Sequence, residues 1–446
     1  MDGLMEDVQT GEGIHQAIRG GAAPAPGVSA HNFRQRLWGT RHTGHRGGLE
    51  ILKSIGPGLL VTVGFIDPGN WASNMAAGSQ YGYALLWVVT LSTLMLIILQ
   101  HNAAHLGIVT GECLAESATR HLPRAVSRFV LLSALVASVA TAMAEVLGGA
   151  IALQMLLGMP LRIGGVLVAA ISLALLLTNS YQCVERWIIG FVSLIGLSFL
   201  IEVVLVQVDW PQAAVSCIVP TLPEGSPSII VSVLGAVVMP HNLFLHSEVV
   251  QSQKFNARGG DVIRERLDHE FVDTLLSMLV GWAINSSMIL LAAAVFWENG
   301  LVVTDLSQAA AMLEPMLGRT ATIIFAAALL LAGISSSVTA GMAAGTISAG
   351  LASEPYDVRD RHSSLGVIAT FTLAVLTVFF IQDTFQGLVY SQSLLSLQLP
   401  ITVFTQIYLT SSKKVMGPYA NSRPLKLGLF AIAVIITAMN ILLLKG

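Results

Sequence analysis

Asp67-Pro68-Gly69-Asn70 interrupts a segment that is otherwise apolar from about residue 54 to 77. Ala236-Val237-Val238-Met239-Pro240-His241 interrupts a second, from about 228 to 250. Pro68 and Pro240 each remove a backbone donor and Gly69 loosens the chain, so both helices are expected to unwind there. Unwound backbone inside a bilayer is tolerated only where protein or a water-filled site satisfies it. Two broken helices, one in each half of a chain, are the main pointer in a sequence to a site at mid-membrane.

The rest of the chain agrees with a membrane setting. Its 446 residues are 54% hydrophobic and 11% charged, with a mean hydropathy of +0.72; soluble domains carry about 25% charged residues. The apolar runs are continuous rather than alternating, which excludes a β-barrel. Eleven spans are expected, near 54–77, 81–104, 127–157, 163–180, 187–208, 228–250, 271–297, 321–350, 364–381, 385–410 and 427–444. With the N-terminus inside, 20 of the 23 Lys and Arg fall on the cytoplasmic side, leaving Arg162, Arg319 and Lys445 outside. That bias predicts a multi-pass plasma-membrane protein with its N-terminus cytoplasmic and its C-terminus external.

Residues 1–49 lack apolar periodicity and read as a disordered cytoplasmic tail. Its histidines, His15, His31, His42 and His45, are irregularly spaced and read as tail composition. Both breaks fall in the first helix of a five-helix block, residues 50–208 and 228–410. An odd number of helices per block inverts the second block relative to the first. The expected fold is therefore all-α, an inverted repeat of 5+5 helices with helices 1 and 6 broken and an eleventh helix, 427–444, appended. Cys113, Cys183 and Cys217 suggest neither a disulfide framework nor a zinc site. No nucleophile–base pair or phosphate loop points to an enzyme, nothing points to nucleic acid, and no bound cofactor is implied.

The breaks offer a carboxylate, a carboxamide and a thioether. Asp67 at mid-membrane costs about 2.5–3.5 kcal/mol if unpaired. No Lys or Arg lies at that depth in any span, so a cation or a proton is its natural counter-charge. Asn70 can ligate through its side-chain oxygen or cap the broken helix. Ala236 should expose a carbonyl where its helix unwinds, and Met239 a sulfur beside it. Hard Mg²⁺ and Ca²⁺ want oxygen, whereas a thioether favours softer transition metals. Gln392 can add a carbonyl ligand as the site closes, or act as polar glue between helices. His241 and His246 can ligate metal, carry protons, or pack as hydrogen-bonded histidines. Glu145, in a run of small residues, is a candidate proton relay or a structural acid.

At these residues the chain resembles the Nramp family of divalent-metal transporters. Span 1 carries that family's Asp-Pro-Gly-Asn at 67–70. Span 6 carries its Ala-x-x-Met-Pro-His at 236 and 239–241, extended through Asn242 to Ser247. The resemblance runs from about Gly56 to the end of the last span. It implies a LeuT-like fold and proton-coupled uptake of Mn²⁺ or Fe²⁺. It implies metal ligation by Asp67, Asn70, the Ala236 carbonyl and Met239, with Gln392 joining in closed states. It implies proton handling by Asp67, Glu145 and His241. One departure is Ala142, where many members have an Asp three residues before the Glu of span 3. Another is Glu248, where many have a small apolar residue; it is a candidate substitute acid, with His246 nearby. The expected function is a secondary transporter that imports Mn²⁺ and Fe²⁺ with H⁺ by alternating access. A metal uniporter of the same fold, and a metal-sensing receptor that does not transport, are the other two readings.

Overall fold

The computed structural model describes residues 67–178, 196–310 and 321–443, and every regular element in them is helical. The expected tail at 1–49, the first half of span 1, the start of span 5 and Cys183 lie outside the described residues.

Helix α1 (Pro68–Tyr81) starts at the first break. Asp67 precedes it in extended conformation (φ −110°, ψ 159°), and its carboxylate accepts the backbone N–H of Asn70. Pro68 fits the first helical position because that N–H would have no helical acceptor anyway. The break thus carries its own cap. Helices α2 (Leu86–Thr110), α3 (Leu114–His121), α4 (Arg124–Leu157), α5 (Leu161–Leu177) and α6 (Gly196–Leu205) follow, and then the short α7 (Trp210–Ser216).

The second break separates α8 (Pro227–Val237) from α9 (Pro240–Gln251). Val238 (φ −107°, ψ 81°) and Met239 (φ −80°, ψ 116°) are both non-helical. Proline at 240 cannot donate to the carbonyl four residues back, so the helix stops one turn short of it. Helices α10 (Gly260–Val295), α11 (Ala321–Ala352), α12 (Arg361–Phe380), α13 (Thr384–Ser411), α14 (Lys413–Met416) and α15 (Arg423–Leu443) complete the chain. α10 begins well before the span expected at 271, because Asp261, Arg264, Glu265, Arg266 and Asp268 extend the helix past its apolar part.

Seven described stretches, counting the broken α8–α9 pair as one, are long and apolar enough to cross a membrane. α13 is 28 residues long yet too polar to be among them. Its Ser391, Gln392, Ser396, Gln398 and Gln406 are buried, so its polarity faces the protein interior. Exposed Phe129, Phe380 and Leu427 put apolar surface on the outsides of α4, α12 and α15, as lipid contact requires.

α4 packs along α11, α1 lies against α10 and α8, and α8 lies against α13. Trp71 is buried on Phe199 (ring centroids 5.8 Å apart, near-perpendicular) and Phe325 (5.1 Å). A polar tie joins three helices one turn from the breaks. Ser73 Oγ lies 2.7 Å from Ser232 Oγ, and the Ser232 hydroxyl donates to the Val389 carbonyl at 2.9 Å. The two breaks are therefore held side by side.

Candidate metal centre

At the first break Asp67 is fully buried. Its Oδ1 accepts the Asn70 N–H at 2.7 Å, and its Oδ2 has no hydrogen-bond partner. Capping thus occupies one carboxylate oxygen and leaves the other available. Asn70 is equally buried, and its Oδ1 accepts from Asn74 Nδ2 at 2.9 Å. Gly69 is where the neighbouring helix comes in: a Cβ there would stand 1.9 Å from Gln392 Nε2 and 3.3 Å from Asp67 Oδ1. Only glycine lets the α13 carboxamide approach the Asp67 carboxylate this closely. Gln392 Nε2 donates to Ser391 Oγ at 3.2 Å, while its buried Oε1 has no partner.

At the second break Gly235 makes the matching approach. A Cβ there would lie 1.9 Å from the Gln392 carbonyl oxygen and 2.9 Å from the Ser396 backbone nitrogen. Ala236 follows, and the helical donor its carbonyl would meet is the missing N–H of Pro240. Met239 is buried against Ala137 of α4 and Leu395 of α13, one turn beyond Gln392. Its sulfur accepts from Asn242 Nδ2 at 3.3 Å. The structure thus brings Asp67, Gln392 and the 236–239 stretch to one place, with Asn70 a turn into α1.

The donor set there is one carboxylate, carboxamides, a backbone carbonyl and a thioether. Among the described residues no three His, Cys, Asp or Glu side chains are grouped closely enough to hold a metal ion. None of the buried described residues is a Lys or an Arg. A buried carboxylate without a basic partner and beside further bare oxygens suits a cation that supplies the missing charge.

Glu145 is fully buried on α4, and neither of its oxygens has a hydrogen-bond partner. It lies within electrostatic reach of Asp67. One turn on, Pro68 seats against Gly148, where a Cβ would be 2.1 Å from the proline Cβ. His241 is buried with its Nδ1 3.2 Å from Thr141 Oγ1, so it faces α4 one turn before Glu145. Ala142, also buried, leaves that turn without a second acid.

His246 and Glu248 sit elsewhere. His246 Nδ1 lies 2.6 Å from Gln100 Oε1, and its Nε2 lies 2.8 Å from Glu270 Oε1. Glu248 Oε2 accepts from Gln251 Nε2 at 3.0 Å and lies near Cys113, just past the C-terminal end of α2. Burial pushes the Cys113 thiol well above its ordinary range, and the Glu248 and Glu116 carboxylates add to the shift.

Several polar partners are invisible to sequence reasoning. Asn74 Nδ2 also donates to Asn285 Oδ1 at 3.0 Å, which continues the Asn70 network into α10. Asn242 holds the Met239 sulfur, and Glu270 holds His246. Each depends on which helices meet. The only signal available was a polar residue in an apolar run, a property these share with many helix-packing groups.

The Nramp family pattern, natural resistance-associated macrophage protein-like, matches residues 58–445. The divalent metal cation transporter MntH of Brucella suis biovar 1 is 38% identical over 404 residues, covering 89% of this chain and 88% of that one. MntH of Caldanaerobacter subterraneus subsp. tengcongensis is 34% identical over 384 residues, covering 84% and 89%. The solved manganese transporter of Eremococcus coleocola, in complex with an aromatic bis-isothiourea substituted compound, superposes with a TM-score of 0.75 at 26% identity, over 90% of this chain and 88% of that one. Mhp1, a nucleobase-cation-symport-1 family transporter, shares the fold alone, with a TM-score of 0.59 at 16% identity over 87% and 90%. The architecture is thus the LeuT-like one, on a polytopic all-α chain that is not an enzyme. With the family pattern spanning all but the first residues, and relatives above a third identical over most of both chains, this chain belongs to the Nramp family.

Proposed function

We propose that the protein is a secondary transporter that imports divalent transition-metal ions, Mn²⁺ and Fe²⁺, across the plasma membrane together with H⁺. The observation that carries this reading is the set of buried, unpartnered oxygens at the paired breaks. Asp67 Oδ2 and Gln392 Oε1 lack donors, and Met239 stands one turn beyond Gln392. The relatives named as divalent metal cation transporters, and the one named as a manganese transporter, support the same substrate class.

The ligands proposed are Asp67, Asn70, the Ala236 carbonyl, Met239 and Gln392. Asp67 provides the charge, the neutral oxygens complete the shell, and the sulfur tilts selectivity away from alkaline earths. Metal enters from outside with the N-terminus cytoplasmic, binds between the breaks, and is released as one helix group rocks against the other. Proton handling is assigned to Asp67, Glu145 and His241, with His246 and Glu248 further in. Glu145 suits this role because its bare carboxyl lies within electrostatic reach of Asp67, so metal at one and a proton at the other influence each other.

The test is Mn²⁺ uptake into proteoliposomes with the internal pH recorded. Asp67→Ala should nearly abolish uptake, and wild-type rates at matched protein levels would overturn the site. Glu145→Gln keeps shape and should reduce internal acidification more than metal entry. A metal uniporter is the second reading, favoured by the apolar Ala142 beside Glu145. Metal uptake by the wild type with no internal pH change would establish it.

A further inference from the structure

A second buried polar system lies in α2, α9 and α10, away from the breaks. Glu270, on the inner half of α10, is 8% exposed. Its Oε1 lies 2.8 Å from His246 Nε2 and also accepts the Thr274 hydroxyl at 3.4 Å. His101 of α2 is within electrostatic reach of Glu270, and its ring stands edge-on to Phe271, the next residue, at 5.2 Å. His105, one turn further along α2, stacks with His101 at 6.5 Å between ring centroids, their planes 15° apart. The His105 side chain in turn meets Asn421, whose amide donates to Thr410 Oγ1 at 2.8 Å in the turn before α15. Four titratable side chains from three helices therefore line up between the middle of α9 and the 417–422 loop, hydrogen-bonded at His246–Glu270 and at His105–Asn421 and within electrostatic reach or ring stacking between.

We propose that Glu270, held between His246 and the His101–His105 pair, is a proton-carrying site that links the inner half of the second broken helix to the cytoplasmic loop at 417–422. The inference rests on the proton-coupled reading above and adds a route separate from Glu145. The chemistry involves only N–H and O–H bonds. A proton leaves His246 Nε2 for the Glu270 carboxylate, and passes to His101, then His105, then water. A carboxylate between imidazoles suits such transfer, because carboxylates and imidazoles both accept and release protons along hydrogen bonds. His246 lies five residues beyond His241, a rise of about 7.5 Å along α9, so the file begins close to the metal site without touching its ligands.

Of the other charged groups on α10, Asp261, Arg264, Glu265, Arg266 and Asp268 are exposed. Asp273 is buried one turn beyond Glu270. His269 is exposed and pairs with Glu265 at 3.9 Å. Glu248 is taken up by Gln251 and Cys113. On the loop, Tyr419 donates to the Gly260 carbonyl at 3.5 Å.

The experiment compares full-length wild type with Glu270→Gln, His101→Gln and the exposed control His269→Gln in proteoliposomes. Mn²⁺ entry and internal pH are recorded together, and infrared difference spectra are taken across a pH titration. Glu270→Gln keeps a hydrogen bond to His246 while removing the proton site. It should cut proton entry per metal ion by more than about half, with the Mn²⁺ uptake rate within about twofold of wild type. His101→Gln should shift the same ratio in the same direction, and His269→Gln should not. A carboxyl band that titrates in the wild type should vanish in Glu270→Gln. A purely structural pair would instead lower thermal stability and leave the ratio intact. Unchanged ratios with no such band would overturn the site while leaving coupling through Glu145 standing. If the wild type moves no protons, the coupled reading fails; the band then decides alone whether Glu270 exchanges a proton, and its absence overturns the proposal.

Discussion

Gly69→Ala tests whether the α13 carboxamide is a ligand, without touching any proposed ligand. The added Cβ would stand 1.9 Å from Gln392 Nε2 and 2.8 Å from its Cδ, whereas ordinary contact begins near 3.4 Å. The carboxamide must therefore retreat by about 1.5 Å, far beyond the roughly 0.2 Å latitude of a metal–ligand bond. Asp67 Oδ1, at 3.3 Å, needs to give by only a few tenths of an ångström. The helix itself is not weakened, since Ala is a better helix former than Gly by up to about 1 kcal/mol. Loss of one neutral donor to a charged centre is worth about 1.5–3 kcal/mol. Mn²⁺ binding should accordingly weaken about tenfold to a hundredfold. The assay is calorimetric Mn²⁺ titration of the purified protein in a double-mutant cycle with Gln392→Ala. If Gly69→Ala acts through Gln392, it should do almost nothing further in the Gln392→Ala background. Full additivity, or wild-type affinity in Gly69→Ala, would refute a ligand role for Gln392.

Two other outcomes follow from the same geometry. Met239→Ala removes the soft donor and frees Asn242 Nδ2, so Mn²⁺ and Cd²⁺ should bind more weakly while Ca²⁺ and Mg²⁺ compete better; an unchanged competition ratio would make Met239 a packing residue. In a Cys183→Ser background, a membrane-impermeant maleimide added outside should label the half-buried Cys217 beside α7. With the membranes permeabilised, Cys113 should still stay unlabelled until the protein is denatured, because burial and the nearby carboxylates keep it as the unreactive thiol at neutral pH. Labelling of Cys113 in permeabilised membranes before denaturation would contradict that burial.

The broken-helix, all-α reading was legible because proline and glycine act on their own backbone. Pro240 ends α8 whatever surrounds it; the cap of α1, by contrast, is Asp67 rather than the expected Asn70, which instead supplies the N–H that Asp67 accepts. Hydropathy was a poorer guide to helix ends. It follows immersion in lipid rather than helicity, so it missed the charged first turns of α10. It also gives no account of partners. Glu270 and His246 are 24 residues apart, and Asn74 and Asn285 are 211 apart; only the packing of α9 on α2, and of α1 on α10, brings such groups together. Glu248 shows the converse. On the sequence it is a candidate acid near the histidines, and in the structure its carboxylate is taken up at the far end of α9.

The polarity of α13 has a consequence for how the chain is made. A helix with Ser391, Gln392, Ser396, Gln398 and Gln406 buried along it, and Pro400 in its middle, partitions poorly into lipid alone. Gln406 Nε2 finds the Leu99 carbonyl of α2, Gln398 finds Ser133 of α4, and Ser396 pairs with Asn440 of α15. Two of these acceptors are synthesised before α13 and one after it. The segment that closes the metal site is therefore stable in the bilayer only as a guest of helices already inserted, and it is secured when the last one arrives. Truncation before Arg423 would leave the inward face of α13 short of a partner and expose it to quality control at the membrane.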